Sequence, residues 1–417
     1  MITHLELRRF KCFKELKLDL GRVSIFIGKN GTGKSSVLQA LACLRQSLGS
    51  QKFSTDGPLV RLGGFHHVTT GQEPLVTLET LLPGTRPIGD PGALGFPPTT
   101  QGLYEYRAAF QAQRLLDHWG HVSLDSLRLE VPPRSQPRQS VEAALGSIGV
   151  MRSDHVGQPL FLEVFKGKDA SQEPLVFDAL AELTRLVGLE LRGIRLVPAL
   201  RGFEKSDFPL TDAPVQEVSA GMDVAGQVAS TMAYVEGLNE RLSAWLRRIT
   251  GVGVAGRLRP QRLVDVTVDG PERVRVSVVN HGFGTNQLIW LLTVVALAEA
   301  HGIVMIEEPE THLHPKAQAE LVSVLVETAR EKDLQLLMTT HSEHILYKAL
   351  TLVARGELAA QDVAVYQFDL DDEGAGHAER LEVTEQGQIK GGLKGFFDVT
   401  LEEMDEYMKA LLAKGKK

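Results

Sequence analysis

Residues 28–35 read Gly28-Lys29-Asn30-Gly31-Thr32-Gly33-Lys34-Ser35, the G-x4-G-K-[ST] spacing of a loop that cradles phosphate. Glycines at these positions let backbone N–H groups converge on phosphate oxygens with no Cβ in the way. A helix expected from about Lys34 adds the positive end of its dipole. Lys34 can reach the β- and γ-phosphates of a nucleotide, and the Ser35 hydroxyl can ligate Mg²⁺. The candidate binding residues of this loop are Gly28, Asn30, Gly31, Thr32, Gly33, Lys34, Ser35 and Ser36. Far downstream, Val304-Met305-Ile306-Glu307-Glu308 is an apolar run that stops on two carboxylates. Alone, this is equally well an ordinary strand end with two exposed acids. Beside a phosphate loop, Glu307 suits a Mg²⁺ ligand. Glu308, one residue on, points the other way off the strand and can polarise a water for in-line attack on a γ-phosphate.

Several elements must hold these groups. Val23 to Ile27 is a short apolar run ending at glycine, the pattern of a buried strand. Ser35 to Leu48 has helical periodicity, with Leu38, Leu41 and Leu44 on one side. Residues Ile2 to Leu7 and Leu16 to Leu20 alternate as half-buried strands do. From about Gln51 to Pro271 the character changes. Strand-like stretches recur at Leu75–Leu82, Leu103–Phe110, Val122–Val131 and Leu160–Phe165, broken by Pro-bearing loops at Pro83–Pro98 and Pro132–Pro137. A helical stretch spans Val215–Ile249. Then come a strand at Val274–Val279, a long apolar helix, a strand at Ile303–Ile306, a helix at Pro315–Arg330, and strands at Leu334–Thr339 and Val363–Phe368. Strand-helix-strand alternation predicts an α/β fold, a mixed or parallel sheet flanked by helices. Residues 1–70 and 272–417 are therefore expected to form one split head, and residues 71–271 an inserted α+β lobe.

The 417 residues are 43 % hydrophobic and 23 % charged, the composition of a globular chain and not of a disordered or fibrous one. The formal net charge is -7, which excludes a wholly basic coat but leaves room for a local basic groove. Two cysteines, Cys12 and Cys43, exclude a disulfide framework or a Cys-rich zinc module. The apolar run near Leu288–Ala300 is short of the roughly 20 residues of a membrane span. No secretory leader is evident in Met1–Arg9, so a cytoplasmic chain with no membrane partner is expected.

Three further segments carry a family resemblance. Glu307 to Pro315 reads Glu-Glu-Pro-Glu-Thr-His-Leu-His-Pro, a later strand ends in Thr340-His341-Ser342, and the chain opens with Leu7-Arg8-Arg9-Phe10-Lys11-Cys12-Phe13. With the phosphate loop, these resemble the ABC-type AAA ATPases related to the OLD, RecF and SMC proteins. Val197-Pro198-Ala199-Leu200-Arg201 and Gly395-Phe396-Phe397-Asp398 also resemble segments of one short branch of that family, which lacks a C-terminal nuclease domain. The resemblance covers about half the chain.

The resemblance implies an ABC-type P-loop head that binds and hydrolyses ATP with Mg²⁺. It implies a homodimer or higher oligomer in which two heads sandwich two nucleotides. Each head would offer the other a signature loop, Gly282-Phe283-Gly284-Thr285-Asn286-Gln287 in this chain, with Gly282 where many relatives carry serine. Gly282 and Gly284 would then approach the partner's γ-phosphate, His341 would sense the γ-phosphate in its own head, and Lys11 would lie near the nucleotide. Glu308, His341 and Lys34 are the catalytic set, and Ser35 with Glu307 the metal set. The expected role is in DNA transactions or defence against foreign DNA (anti-phage), with DNA and a separate effector protein as candidate partners. The alternative is a nucleotide-gated scaffold or sensor that hydrolyses slowly and binds no nucleic acid. Other residues stay open at this stage. His312, His314, His341 and His344 with Glu310 read as a metal cluster or as a dimer-facing turn. His66 and His67 line the site or sit in a loop, Gln72 is badly spaced for the nucleotide-sensing glutamine of ABC heads, and Lys414–Lys417 reads as a solvated end.

Overall fold

The computed structural model describes residues 1–47, 54–63, 67–68, 75–84, 104–116, 119–130, 191–211, 224–270 and 274–392. In chain order its strands are β1 (His4–Phe10), β2 (Phe13–Asp19), β3 (Val23–Gly28), β4 (Leu75–Gly84), β5 (Tyr104–Leu116), β6 (Trp119–Glu130), β7 (Ile194–Val197), β8 (Asp207–Pro209), β9 (Gly253–Arg259), β10 (Leu263–Asp269), β11 (Arg275–Ser277), β12 (Ile303–Glu307), β13 (Gln335–Thr340), β14 (Val363–Leu370) and β15 (Gly376–Leu381). Its helices are α1 (Lys34–Ser47), α2 (Val224–Tyr234), α3 (Leu238–Thr250), α4 (Phe283–Leu297), α5 (Pro315–Lys332) and α6 (Glu343–Ala354).

The central sheet runs β15-β14-β3-β13-β12-β7. All its pairings are parallel except the antiparallel edge strand β15. Every residue of β3, β7 and β13 is buried, as strands covered on both faces must be. Alternation along each strand divides the apolar residues between two cores. Ile25, Ile27, Ile306 and Met338 face α4, α5 and α6, whereas Phe26, Met305, Leu337 and Phe368 face α1 and the first hairpin. Phe26 and Phe368 meet edge to face, with centroids 5.6 Å apart. The mixed, mainly parallel α/β sheet expected from the sequence is the one observed.

The described parts of residues 71–271 pair and pack with elements of the head. β4 pairs with β1, so β4, β5 and β6 extend the antiparallel N-terminal sheet, in the order β2-β1-β4-β5-β6. β7 pairs in parallel with β12 inside the sheet of the phosphate loop. α2, α3, β9 and β10 bury their apolar faces in the same core as Val23, Ile25 and Ile27. Sequence patterning sees a change of texture at such points, but not that a distant strand has found a free sheet edge. Smaller differences have local causes. The helix expected over Val215–Ile249 breaks at Gly237, whose φ of 75° is the left-handed turn between α2 and α3. Pro83 ends up inside β4, not in a loop. Val278–Asn280 forms a single 3-10 turn, which shortens the expected strand to β11. The segments Leu160–Phe165, Pro132–Pro137 and Gly395–Asp398, with His66, Gln72 and the Lys414–Lys417 tail, lie outside the described residues.

A buried amide locks the two ends of the head together. Gln335, on β13, accepts a bond from the Ile2 amide at 2.9 Å and donates to the carbonyls of Ile2 at 2.6 Å and Gly21 at 3.0 Å. The residue is fully enclosed, and these bonds satisfy backbone groups that no strand pairs.

Candidate nucleotide site

The parallel strands all end on one edge of the sheet, and in such folds that edge carries the ligand crevice. In register, Glu307 lies beside Thr339, Thr340 beside Ile27, and Gly28 beside Phe368. The loops that follow β3, β12, β13 and β7 therefore gather in one place.

The loop after β3 has the backbone that its glycines permit. Gly28 has φ +142° and a Cβ there would sit 2.3 Å from the Phe368 carbonyl oxygen. Gly33 has φ +97° and a Cβ there would lie 2.5 Å from both the Cys12 Sγ and the Phe13 ring. The Thr32 hydroxyl donates to the Lys29 carbonyl at 2.9 Å, and the Ser36 amide donates to the Gly33 carbonyl at 2.9 Å as α1 begins. The Lys34 ammonium donates to the same Lys29 carbonyl at 2.6 Å, folding back over the loop. Burial pushes its pKa down to about 8, opposed by the charges of Glu308 and Glu310. Asn30 and Gly31 are exposed at the loop's crest.

Lys11 enters from the turn between β1 and β2, in a left-handed conformation with φ 53°. Its amide donates to the Val68 carbonyl at 2.8 Å and its side chain to Gln39 of α1. Burial lowers its pKa, and the nearby Cys43, Glu307 and Cys12 oppose that shift. A basic side chain is thus held close to the acidic strand end.

At the end of β12, Glu307 accepts a bond from the Ala199 amide at 3.3 Å through Oε2. Its other oxygen, Oε1, is sealed from solvent with no hydrogen-bond partner. Burial raises the Glu307 pKa, while the Ala199 amide, the nearby Ser35 hydroxyl and Lys11 favour the charged form. A buried carboxylate oxygen without a donor, beside a hydroxyl of the phosphate loop, is a hard-oxygen set that fits Mg²⁺. Glu308 turns sharply away with φ 44°. Its amide donates to the Thr339 carbonyl at 3.0 Å, and its carbonyl accepts from the Thr311 hydroxyl at 2.8 Å. The Glu308 Oε1 lies 3.8 Å from the His341 Nε2. Burial, then the charge of Lys34, holds the His341 pKa below the ordinary histidine range, against the pull of Glu308. The neutral form of the ring is therefore favoured.

Two residues absent from the expected set complete the site. Glu310 accepts the His341 amide at 2.7 Å, while its Oε2 is buried without a partner, and burial raises its pKa. Arg201 donates to the carbonyls of Pro198 at 2.9 Å, Glu307 at 3.0 Å and Glu308 at 3.1 Å. Enclosure lowers its pKa to about 10 although three carboxylates surround it. Both residues lie in segments that stand out in the sequence: Glu310, in the acidic run, is marked there only as a candidate metal ligand, and nothing in residue type marks Arg201, after β7, as a site residue.

The signature segment lies elsewhere. Gly282 is the N-cap of α4 and a Cβ there would meet nothing within 4 Å. Gly284 packs so closely that a Cβ would sit 2.3 Å from the His312 carbonyl oxygen. Phe283 is exposed and meets the His312 ring edge to face at 5.6 Å. Among the described contacts these glycines meet open space or the turn after Glu308, not the phosphate loop. The His312, His314, His341, His344 and Glu310 set does not assemble as a metal site, although Glu310 and His341 are neighbours. His314 caps α5 through its Nδ1, and among the described residues no group of three His, Cys, Asp or Glu is placed to hold a metal.

A mainly parallel sheet that brings a phosphate loop, two strand-end carboxylates and a histidine to one edge defines a P-loop ATPase head. Comparison with known proteins agrees. The AAA ATPase domain family matches residues 1–77 and 228–346. The chain is 25 % identical over 368 residues to the OLD nuclease of Thermus scotoductus, covering 82 % of this chain and 59 % of that protein. It is 40 % identical over 73 residues to the DNA replication and repair protein RecF of Streptomyces avermitilis, 17 % of this chain and 19 % of that one. Among solved structures it is similar to the SMC head domain from Thermotoga maritima, with a TM-score of 0.44 and 13 % identity over 92 % of this chain and 99 % of that one. Over the segments that carry the phosphate loop and the strand-end carboxylates, the chain is thus similar to AAA ATPase domains, and it is similar to the OLD nuclease and to RecF. It spans 59 % of the length of the OLD nuclease. Among the described residues no helix is long and apolar enough to cross a membrane.

Proposed function

We propose that this chain binds ATP with Mg²⁺, dimerises around the nucleotide and hydrolyses it. The observation that carries the reading is the convergence of Lys34, Glu307, Glu308 and His341 on one sheet edge. Lys34 and the amides of Gly28 to Ser36 hold the phosphates, and Lys11 supports the nucleotide from the side. Ser35 and Glu307 are the residues that would hold Mg²⁺, which would supply positive charge to the phosphates. Glu308 accepts the proton of the water that attacks the γ-phosphorus in line, and ADP leaves. The left-handed backbone of Glu308, bonded at both its amide and its carbonyl, fixes where that carboxylate points. The neutral His341, 3.8 Å from it, offers one ring nitrogen as donor to the γ-phosphate. Gly282 and Gly284 at the α4 N-terminus bind the γ-phosphate of the partner head. The likeness to the OLD nuclease and to the DNA replication and repair protein RecF supports work on DNA; defence against foreign DNA and action through a separate effector protein in the cytoplasm belong to the proposal.

Replacing the base tests this directly. Glu308→Gln should bind ATP but turn over at least about 100-fold more slowly, and should accumulate as an ATP-dependent dimer in light scattering. ATP-loaded monomers of that variant would refute the dimer, and unchanged turnover would refute the role of Glu308.

A further inference from the structure

The route between the signature helix and the two carboxylates is continuous in one subunit. Asn286, in the first turn of α4, grips the loop after β7 with both ends of its amide. The Phe203 amide donates to its Oδ1 at 2.7 Å, and its Nδ2 donates to the Phe203 carbonyl at 3.0 Å. The loop can come this close because residue 202 is glycine, with φ +128° and only 2.9 Å between a would-be Cβ and the Asn286 oxygen. One residue earlier, Arg201 spreads its guanidinium across the carbonyls of Glu307 and Glu308. Asn286 is buried, and the Arg201 Nε is sealed with no partner of its own. A planar fork anchored on two successive carbonyls moves them as a unit.

We propose that Asn286 and Arg201 are positioning residues that couple the signature loop of a head to its own Glu307–Glu308 backbone. When a partner's nucleotide seats on the N-terminus of α4, the shift of that helix turn passes through Asn286 to Phe203. Gly202 and Arg201 carry it to the carbonyl of Glu308, which sets the aim of its carboxylate. Neither residue touches nucleotide. The proposal rests on the ATPase reading above and adds that dimer engagement and water activation are linked within the same chain.

The test uses the full chain and follows turnover against protein concentration, with ATP affinity measured separately by a fluorescent ATP analogue. In the parent chain specific turnover should rise as heads pair. Asn286→Asp, which keeps the acceptor for Phe203 and sets a carboxylate against its carbonyl, should keep KM within about twofold and lower kcat at least about tenfold. The dimer should still form. Asn286→Ala and Arg201→Lys should behave alike, and Asn286→Ala with Arg201→Lys together should lose no more than the worse single change, because one path is cut twice. Multiplying effects, or an unchanged kcat in Asn286→Asp, would overturn the coupling. If the alanine and lysine variants melt early, the aspartate variant still decides. A parent chain with no ATP turnover would instead overturn the ATPase reading itself.

Discussion

Lys34 is the side chain on which the site's electrostatics turn. Folded back over its own loop, its ammonium is buried, which pushes its pKa down to about 8. Triphosphate charges arriving beside it favour the protonated form and raise that value. The sign follows from linkage. Below about pH 8 the lysine is charged with or without ligand, and affinity is flat. Above it, binding must take up a proton, so affinity should fall close to tenfold per pH unit until the bound-state pKa is passed. Titrations of ATP in EDTA between pH 7 and 9.5, in buffers of different ionisation enthalpy, should show both the fall and the proton uptake. Lys34→Arg should abolish the pH dependence, since guanidinium stays charged throughout. The loop motif makes this lysine legible in the sequence, as the strand-end pattern does for Glu307 and Glu308. Arg201 is not legible there, and Glu310 is legible only as a candidate metal ligand, because their importance lies in which backbone groups they reach across the fold.

Secondary-structure units show the same division. The spacing of Val23–Ile27, of the helix after Ser35 and of Ile303–Ile306 is enough to identify β3, α1 and β12, because local periodicity encodes burial. The pairing of β4 with β1 and of β7 with β12 is not local and leaves no mark in either strand. The same holds for Gln335, one glutamine among apolar strand residues, whose amide serves three backbone groups. Gln335→Leu keeps the volume but leaves the Ile2 amide and carbonyl without this partner in a dry interior, while the Gly21 carbonyl keeps only a long bond from the Ser24 hydroxyl. Each costs about 1–3 kcal/mol when left unmet, so a loss of about 3 kcal/mol after partial relaxation is expected. Urea unfolding should register it as a lower midpoint with an unchanged slope.

For the head taken entire, the mild negative charge of -7 does not decide between a DNA-directed motor and a sensor without nucleic acid. Their salt response does. A head that works on DNA should show turnover stimulated by duplex, with binding that falls linearly in log–log salt plots by about 0.9 per phosphate contact. Turnover indifferent to DNA at every ionic strength favours the scaffold. Arginines on the exposed face of the β9–β10 hairpin, such as Arg257, are the first positions to neutralise if stimulation is seen.

The glutamine that ties residue 2 to residue 335 also orders events in time. A ribosome delivers β1, β3 and the phosphate loop early, yet the strands that flank β3 on either side, β13 and β14, begin only at residues 335 and 363. Until those emerge, β3 has no neighbours in its own sheet and Ile2 has no glutamine to meet. The nascent chain therefore carries this mainly apolar stretch unpaired while the residues up to β13 are made. The phosphate loop that follows β3 gains a neighbouring strand on both sides only after β14 has been made, so the oldest strand of this sheet is among the last to be enclosed.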